Sequence, residues 1–138
     1  MRTKILLLLG ILLLVPQSCK KEENGIKLGR EISVDDVYFS LQGGTQTVKI
    51  KGLKTSTHLS LDFIKSMDDN YYSYNDDTDP SDKDLGKGIV SSHEIEGISV
   101  IIRPNATIEI TVSQSIKPRT WQVQFGCNDF IIFGVHQQ

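Results

Sequence analysis

The chain has 138 residues, with 15 basic and 17 acidic side chains, a formal net charge of −2 and 38% hydrophobic residues. That length favours one domain, and the apolar content suffices for a core of its own. The slightly acidic balance lacks the basic footprint of a nucleic-acid-binding protein, so no nucleic-acid partner is expected.

Arg2 and Lys4 open the chain, and Ile5–Val15 follows as an uncharged apolar run, ILLLLGILLLV. The run is well short of the roughly 20 residues a membrane-spanning helix needs. A basic start followed by a short apolar stretch is the pattern of a secretory signal. Pro16 ends any helix, because it lacks an N–H and clashes with the preceding turn. Ser18 is small enough for the position before a signal-peptidase cut, so residues 1–18 read as a signal peptide. The Ser18–Cys19 junction resembles the lipobox of bacterial lipoproteins, in which the cysteine thiol is acylated and becomes the mature N-terminus; Pro16 and Gln17 depart from its usual small and aliphatic residues. The resemblance implies lipidation at Cys19 and anchoring at the cell outer membrane.

Residues 19–31 are polar and glycine-punctuated and read as a tether. Lys20, Lys21, Glu22 and Glu23 are either a plain solvated linker or, by resemblance, the charged export signal of surface lipoproteins in the Bacteroidetes type of envelope. With Cys19 acylated, Cys127 has no disulfide partner and reads as a small apolar residue.

From Val34 onward the hydrophobic period is two, the signature of half-buried strands. Val37, Phe39 and Leu41, then Val48 and Ile50, mark two strands about a Gly43–Gly44 turn. Leu59, Leu61 and Phe63 mark a third with those three residues on one face. The stretch from Met67 to Gly88 breaks the rhythm with Asp, Asn and Tyr. Strands resume with Ile98, Val100 and Ile102, turn at Arg103-Pro104-Asn105, and continue with Ile108, Ile110 and Val112. Trp121, Val123 and Phe125 point to the core from the next strand, and Gly126 to Asp129 leads into a last one, FIIFGV. About seven strands at this spacing predict an all-β antiparallel sandwich over residues 32–138.

The segment SVDDVYFSLQGGTQTVKIKG, with Arg119 leading TWQVQF and Val135-His136-Gln137 closing the chain, resembles the BACON domain, an Ig-like sandwich of exported bacteroidete proteins. The usual tryptophan after the second strand is replaced by Leu59 and Leu61, and residues 68–88 have no counterpart. The resemblance implies the sandwich fold, and either carbohydrate binding or a spacer role.

The candidate chemistry lies in SMDDNYYSYNDDTDPSDKDLGKG. Tyr71, Tyr72 and Tyr74 are candidate ligand-binding residues, since aromatic rings stack on sugar faces and also serve protein interfaces. The clustered carboxylates are candidate calcium ligands: Asp77 and Asp79 have the alternating spacing that opens a calcium loop, and Asp82 follows. Asp82 stands where an EF-hand needs Gly, and Gly88 where it needs Glu, so a solvated acidic loop is the leading reading and no cofactor is expected. His58, His93 and His136 lack zinc spacing, and no HExxH, GxSxG, P-loop or GxGxxG sequence occurs. The expectation is a non-enzymatic, surface-exposed envelope lipoprotein that binds a glycan or spaces one. The alternative is an accessory subunit of an envelope complex with a protein partner.

Overall fold

A computed structural model describes residues 32–75, 84–126 and 130–138. The signal peptide, Cys19, the tether, Cys127 and the calcium candidates Asp77, Asp79 and Asp82 lie outside the described residues.

The alternation of apolar residues becomes strands that bury one face each. Among the described residues these are β1 (Val37–Phe39), β2 (Gly44–Lys49), β3 (Ser60–Ser66), β4 (Tyr71–Tyr74), β5 (Ser91–Ile95), β6 (Ile98–Arg103), β7 (Thr107–Val112), β8 (Arg119–Gly126) and β9 (Phe130–Gln137). They form two sheets, ordered β1-β9-β8-β3-β4 and β2-β7-β6-β5. The protein is an all-β, Ig-like sandwich. Ile98, Val100 and Ile102 of β6, Ile108, Ile110 and Val112 of β7, and Trp121, Val123 and Phe125 of β8 are all buried, as the alternation predicts. Each such side chain contributes about 1.5–3 kcal/mol relative to exposure.

Three features differ from the periodicity reading. The first two strands form on either side of Gly43–Gly44, but in different sheets, and β1 pairs parallel with β9 (Val37↔Val135) rather than with β2. Gly43 (φ 77°) and Gly44 (φ 134°) have the positive φ that this crossing between sheets uses. Second, β4 and β5 are strands that period two did not mark. Both lie at sheet edges, where ladder bonds rather than an alternating apolar face hold the strand.

The third difference is in β3. Leu61 pairs with Phe125 and Phe63 with Gln124, so β3 advances two residues while β8 advances one. This β-bulge reverses the side-chain phase. Leu59 and Leu61 are buried before it and Ile64 after it, while Phe63 is only half-buried and shares the outward face of Gln124.

Polar groups bind the layers together. Ser91 Oγ of β5 accepts the Leu61 N–H of β3 at 2.9 Å, joining the sheets. Buried Ser56 donates to the Arg103 carbonyl and accepts the Ala106 N–H at 3.1 Å, holding Ala106 in the left-handed region (φ 62°). Gln137, 1% exposed, accepts Arg119 Nε at 2.9 Å and donates to the carbonyls of Ser40, Leu41 and Ser113. Each of these bonds spares a buried group a desolvation cost of about 1–3 kcal/mol.

Asp36 clamps β1 to β9. Its Oδ1 accepts the Gly134 N–H at 2.8 Å and its Oδ2 contacts His136 Nε2 at 2.9 Å, while Tyr38 stacks on His136 at 4.8 Å. Gly134 admits this carboxylate because a Cβ there would lie 2.9 Å from Asp36 Oδ2.

The His136 hydrogen bond, followed by the Gly134 N–H, holds the Asp36 pKa below its ordinary value, with partial burial opposing. A lowered carboxylate pKa stabilises the fold above the unfolded pKa, and that contribution is lost as pH falls through the folded one. Asp36→Asn should therefore lower the melting temperature at neutral pH, and its difference from wild type should shrink as pH falls from about 4 towards 2. A difference independent of pH would contradict the clamp. The bulge makes a second prediction: Ile64→Ala should cost about 2–5 kcal/mol in denaturant unfolding. A cost below 1 kcal/mol, on the order expected of a surface site, would place Ile64 outside the core.

Candidate functional site

The three tyrosines singled out in the sequence all lie on β4, the outermost strand of the five-stranded sheet. Several bonds hold that strand. Met67 N–H donates to the Thr120 carbonyl at 2.9 Å, and Asp68 Oδ2 accepts the Thr120 N–H at 3.0 Å. Asn70 takes the left-handed conformation of the turn (φ 52°), which Asn tolerates. Asn75 closes the far end with N–H to Asp62 O at 2.8 Å and Nδ2 to Leu61 O at 3.1 Å. At its centre, Ser73 Oγ and O lie 2.9 and 3.0 Å from His93 Nε2 of β5. A stretch that reads as a mobile acidic loop is thus, from Tyr71 to Tyr74, a bonded strand.

Period two divides the tyrosines. Tyr72 and Tyr74 pair with Lys65 and Phe63 and share their outward face, whereas Tyr71 pairs with Ser66 and lines a cleft at the end of the sandwich. On the outward face Phe63 lies edge-on to Tyr72 (5.3 Å, 68°) and to Tyr74 (5.7 Å, 66°). The tyrosine rings are 5.9 Å apart and 9° from parallel, and Lys65 Nζ stands 4.7 Å from the centre of the Tyr72 ring. Edge-on aromatic pairs contribute about 0.5–1.5 kcal/mol beyond burial, and an exposed cation–π contact about 0.5–1 kcal/mol. The rings are therefore held in place yet open to solvent: Tyr72 is 41% and Tyr74 69% exposed.

The same sheet face also exposes Tyr38, Phe130 and Ile132. The outward face of the four-stranded sheet carries Thr45, Thr47, Thr107 and Thr111 instead, with Thr45 and Thr111 hydroxyls 2.9 Å apart. Exposed rings are thus concentrated on this side of the sandwich, in two groups on either side of the polar residues Gln122 and Gln124 of β8.

The cleft at the sandwich end holds about 320 Å³ and is lined by Tyr71, Trp121, Arg119, Glu96, Asp69 and Lys117, among others. Arg119 is committed to structure. Its guanidinium lies 4.9 Å from the Trp121 ring centre, with Nε on Gln137 and Nη2 on the Ser113 carbonyl at 2.9 Å. Asp69, Glu96 and Lys117 carry no ion pair among the described residues. Together with the exposed Tyr71 phenol they offer hydrogen-bond donors and acceptors around a small pocket.

Among the described residues no three His, Cys, Asp or Glu side chains converge as a metal site. The arrangement suits stacking and hydrogen bonding to a ligand at two adjacent places. Phe63 and Lys65 were not signalled by the sequence, because the bulge that turns Phe63 outward leaves no local pattern. Glu96, Lys117 and Arg119 reach the cleft from separate turns and strands, a proximity no spacing reveals.

No family model and no curated protein matches the chain. Among solved structures, the chain is similar to the NMR structure of a protein from Bacteroides thetaiotaomicron, with 13% identity, a TM-score of 0.48 and 75% of each chain covered. It is also similar to the N-terminal four Ig domains of Dscam1 isoform 7.44, at 7% identity and a TM-score of 0.36; the match covers 79% of this chain and 25% of that one.

Proposed function

We propose that the protein is a non-enzymatic lipoprotein of the cell envelope, anchored through Cys19 at the outer membrane and exposed at the surface, whose BACON-like sandwich binds a glycan. The observation that carries the binding role is the fixed, solvent-open pair Tyr72 and Tyr74, held by Phe63 and Lys65 on one outward face. Sugar rings present apolar C–H faces that pack on aromatic rings, while their hydroxyls take up amide and carboxylate partners. Half-buried Gln122 and Gln124 stand on the same face beside Lys65 and Phe63. Tyr71, in the cleft beside Asp69 and Glu96, provides a second contact point.

An accessory role in an envelope complex is the second reading, favoured by Phe130 (69% exposed) and Ile132 on this face. Obligate protein interfaces are richer in such apolar groups than sugar sites are.

Tyr72→Ala and Tyr74→Ala should each weaken retention on a glycan array by about tenfold or more, equivalent to roughly 1.4 kcal/mol, in variants that remain folded at the assay temperature with only a modest fall in melting temperature. Full retention by both variants would reject the glycan site and leave the protein-partner reading. For the anchor, metabolic labelling with a palmitate analogue should mark the wild type and not Cys19→Ser. Equal labelling of both would reject lipidation at Cys19.

A further inference from the structure

We infer that Phe63 is a positioning residue of the Tyr72/Tyr74 binding face, turned outward for that role by the one-residue bulge in β3. The inference rests on the proposed binding role of that face and adds to it the part that the β3 bulge plays. Three observations carry it. First, the alternation that buries Leu59 and Leu61 directs position 63 to the core, and only the register shift between Leu61 and Phe63 sends its ring to the surface. Second, the outward ring touches both tyrosines, edge-on to Tyr72 at 5.3 Å and to Tyr74 at 5.7 Å. One ring in T-shaped contact with two near-parallel tyrosines restrains both at once, whereas Lys65 stands over Tyr72 alone. Third, the bulge does not spoil the core, because Ile64 takes the inward position against Val123 that Phe63 vacates.

The physical consequence is preorganisation. An exposed tyrosine on an edge strand samples several rotamers, and a ligand that needs two rings at a set spacing must freeze both. Phe63 bears that ordering cost within the free protein. Asp62, the extra residue of the bulge, also faces outward at 3.4 Å from Gln124 Nε2, so the bulge delivers a ring and a carboxylate to the same face.

The test uses Phe63→Leu, which keeps apolar bulk and removes the ring edge, and Phe63→Tyr, which restores a ring. Aromatic NMR spectra of the free protein are read first. In wild type and Phe63→Tyr the Tyr72 and Tyr74 ring resonances should be shifted from those of free tyrosine, and in Phe63→Leu they should collapse towards it. Tyr71, on the other side of the strand, should stay unchanged and serve as the internal control. Affinity for a glycan retained by the wild type should fall by about tenfold in Phe63→Leu and recover in Phe63→Tyr. Unchanged Tyr72 and Tyr74 resonances in Phe63→Leu overturn the inference, as does wild-type affinity in that variant. If the wild type retains no glycan, the glycan reading fails by itself, and the ring resonances still decide whether Phe63 positions the tyrosines.

Discussion

The single-residue bulge in β3 is the constraint on which both the core and the outward face depend. β3 lies between β8 and β4 in the five-stranded sheet, so its phase decides what both neighbours meet. Before the bulge, Leu61 enters the core opposite Phe125; after it, Ile64 does so opposite Val123. A one-residue change of register moves every following side chain to the other face of the sheet. Without the extra residue, Phe63 would be driven inward and Ile64 outward, and the tyrosines of β4 would lose their contact with the Phe63 ring.

The edges of the sandwich follow a common logic. β1 contributes only Val37–Phe39 to a parallel pairing, and side chains supply what so short a ladder does not. Asp36 on Gly134 and His136, Gln46 on the Tyr38 carbonyl at 2.6 Å and the isolated Ser33–Lys51 bridge hold it to both sheets. At the opposite edge β4 is tied to β5 through Ser73 and His93. At the sandwich end Arg119 and Gln137 share one network with Ser113, Ser40 and Leu41, so the chain segments beside the cleft are tied together by hydrogen bonds.

Much of the fold was legible in the sequence because burial leaves a period. Ile98 to Val112 and Trp121 to Phe125 alternate so regularly that their strands, faces and turn at Pro104 could be read directly, whereas the continuous apolar run FIIFGV marked a strand without marking its face. Of the edge strands, β1 and β2 were legible but β4 and β5 were not, because YYSY and SSHEI show no alternation of apolar and polar residues. Phe63 was read as inward because a bulge inserts a residue without a motif of its own. Of the site, Tyr71, Tyr72 and Tyr74 stood out by composition. That they separate into a face and a cleft depends on strand register, a tertiary property. The cleft residues Glu96, Lys117 and Arg119 meet only through the crossing of chain segments far apart in sequence.

The register of β3 is the point at which core, edge strand and outward tyrosine face meet, and nuclear Overhauser contacts from the Phe63 and Ile64 side chains of the full-length protein measure it most directly. Phe63 ring protons should show contacts to the rings of Tyr72 and Tyr74, and Ile64 methyls to Val123 and the buried core. Contacts from Phe63 to Val123 or Phe125, with Ile64 facing the tyrosines, would mean an unbulged strand and would contradict the arrangement of both the core and the site.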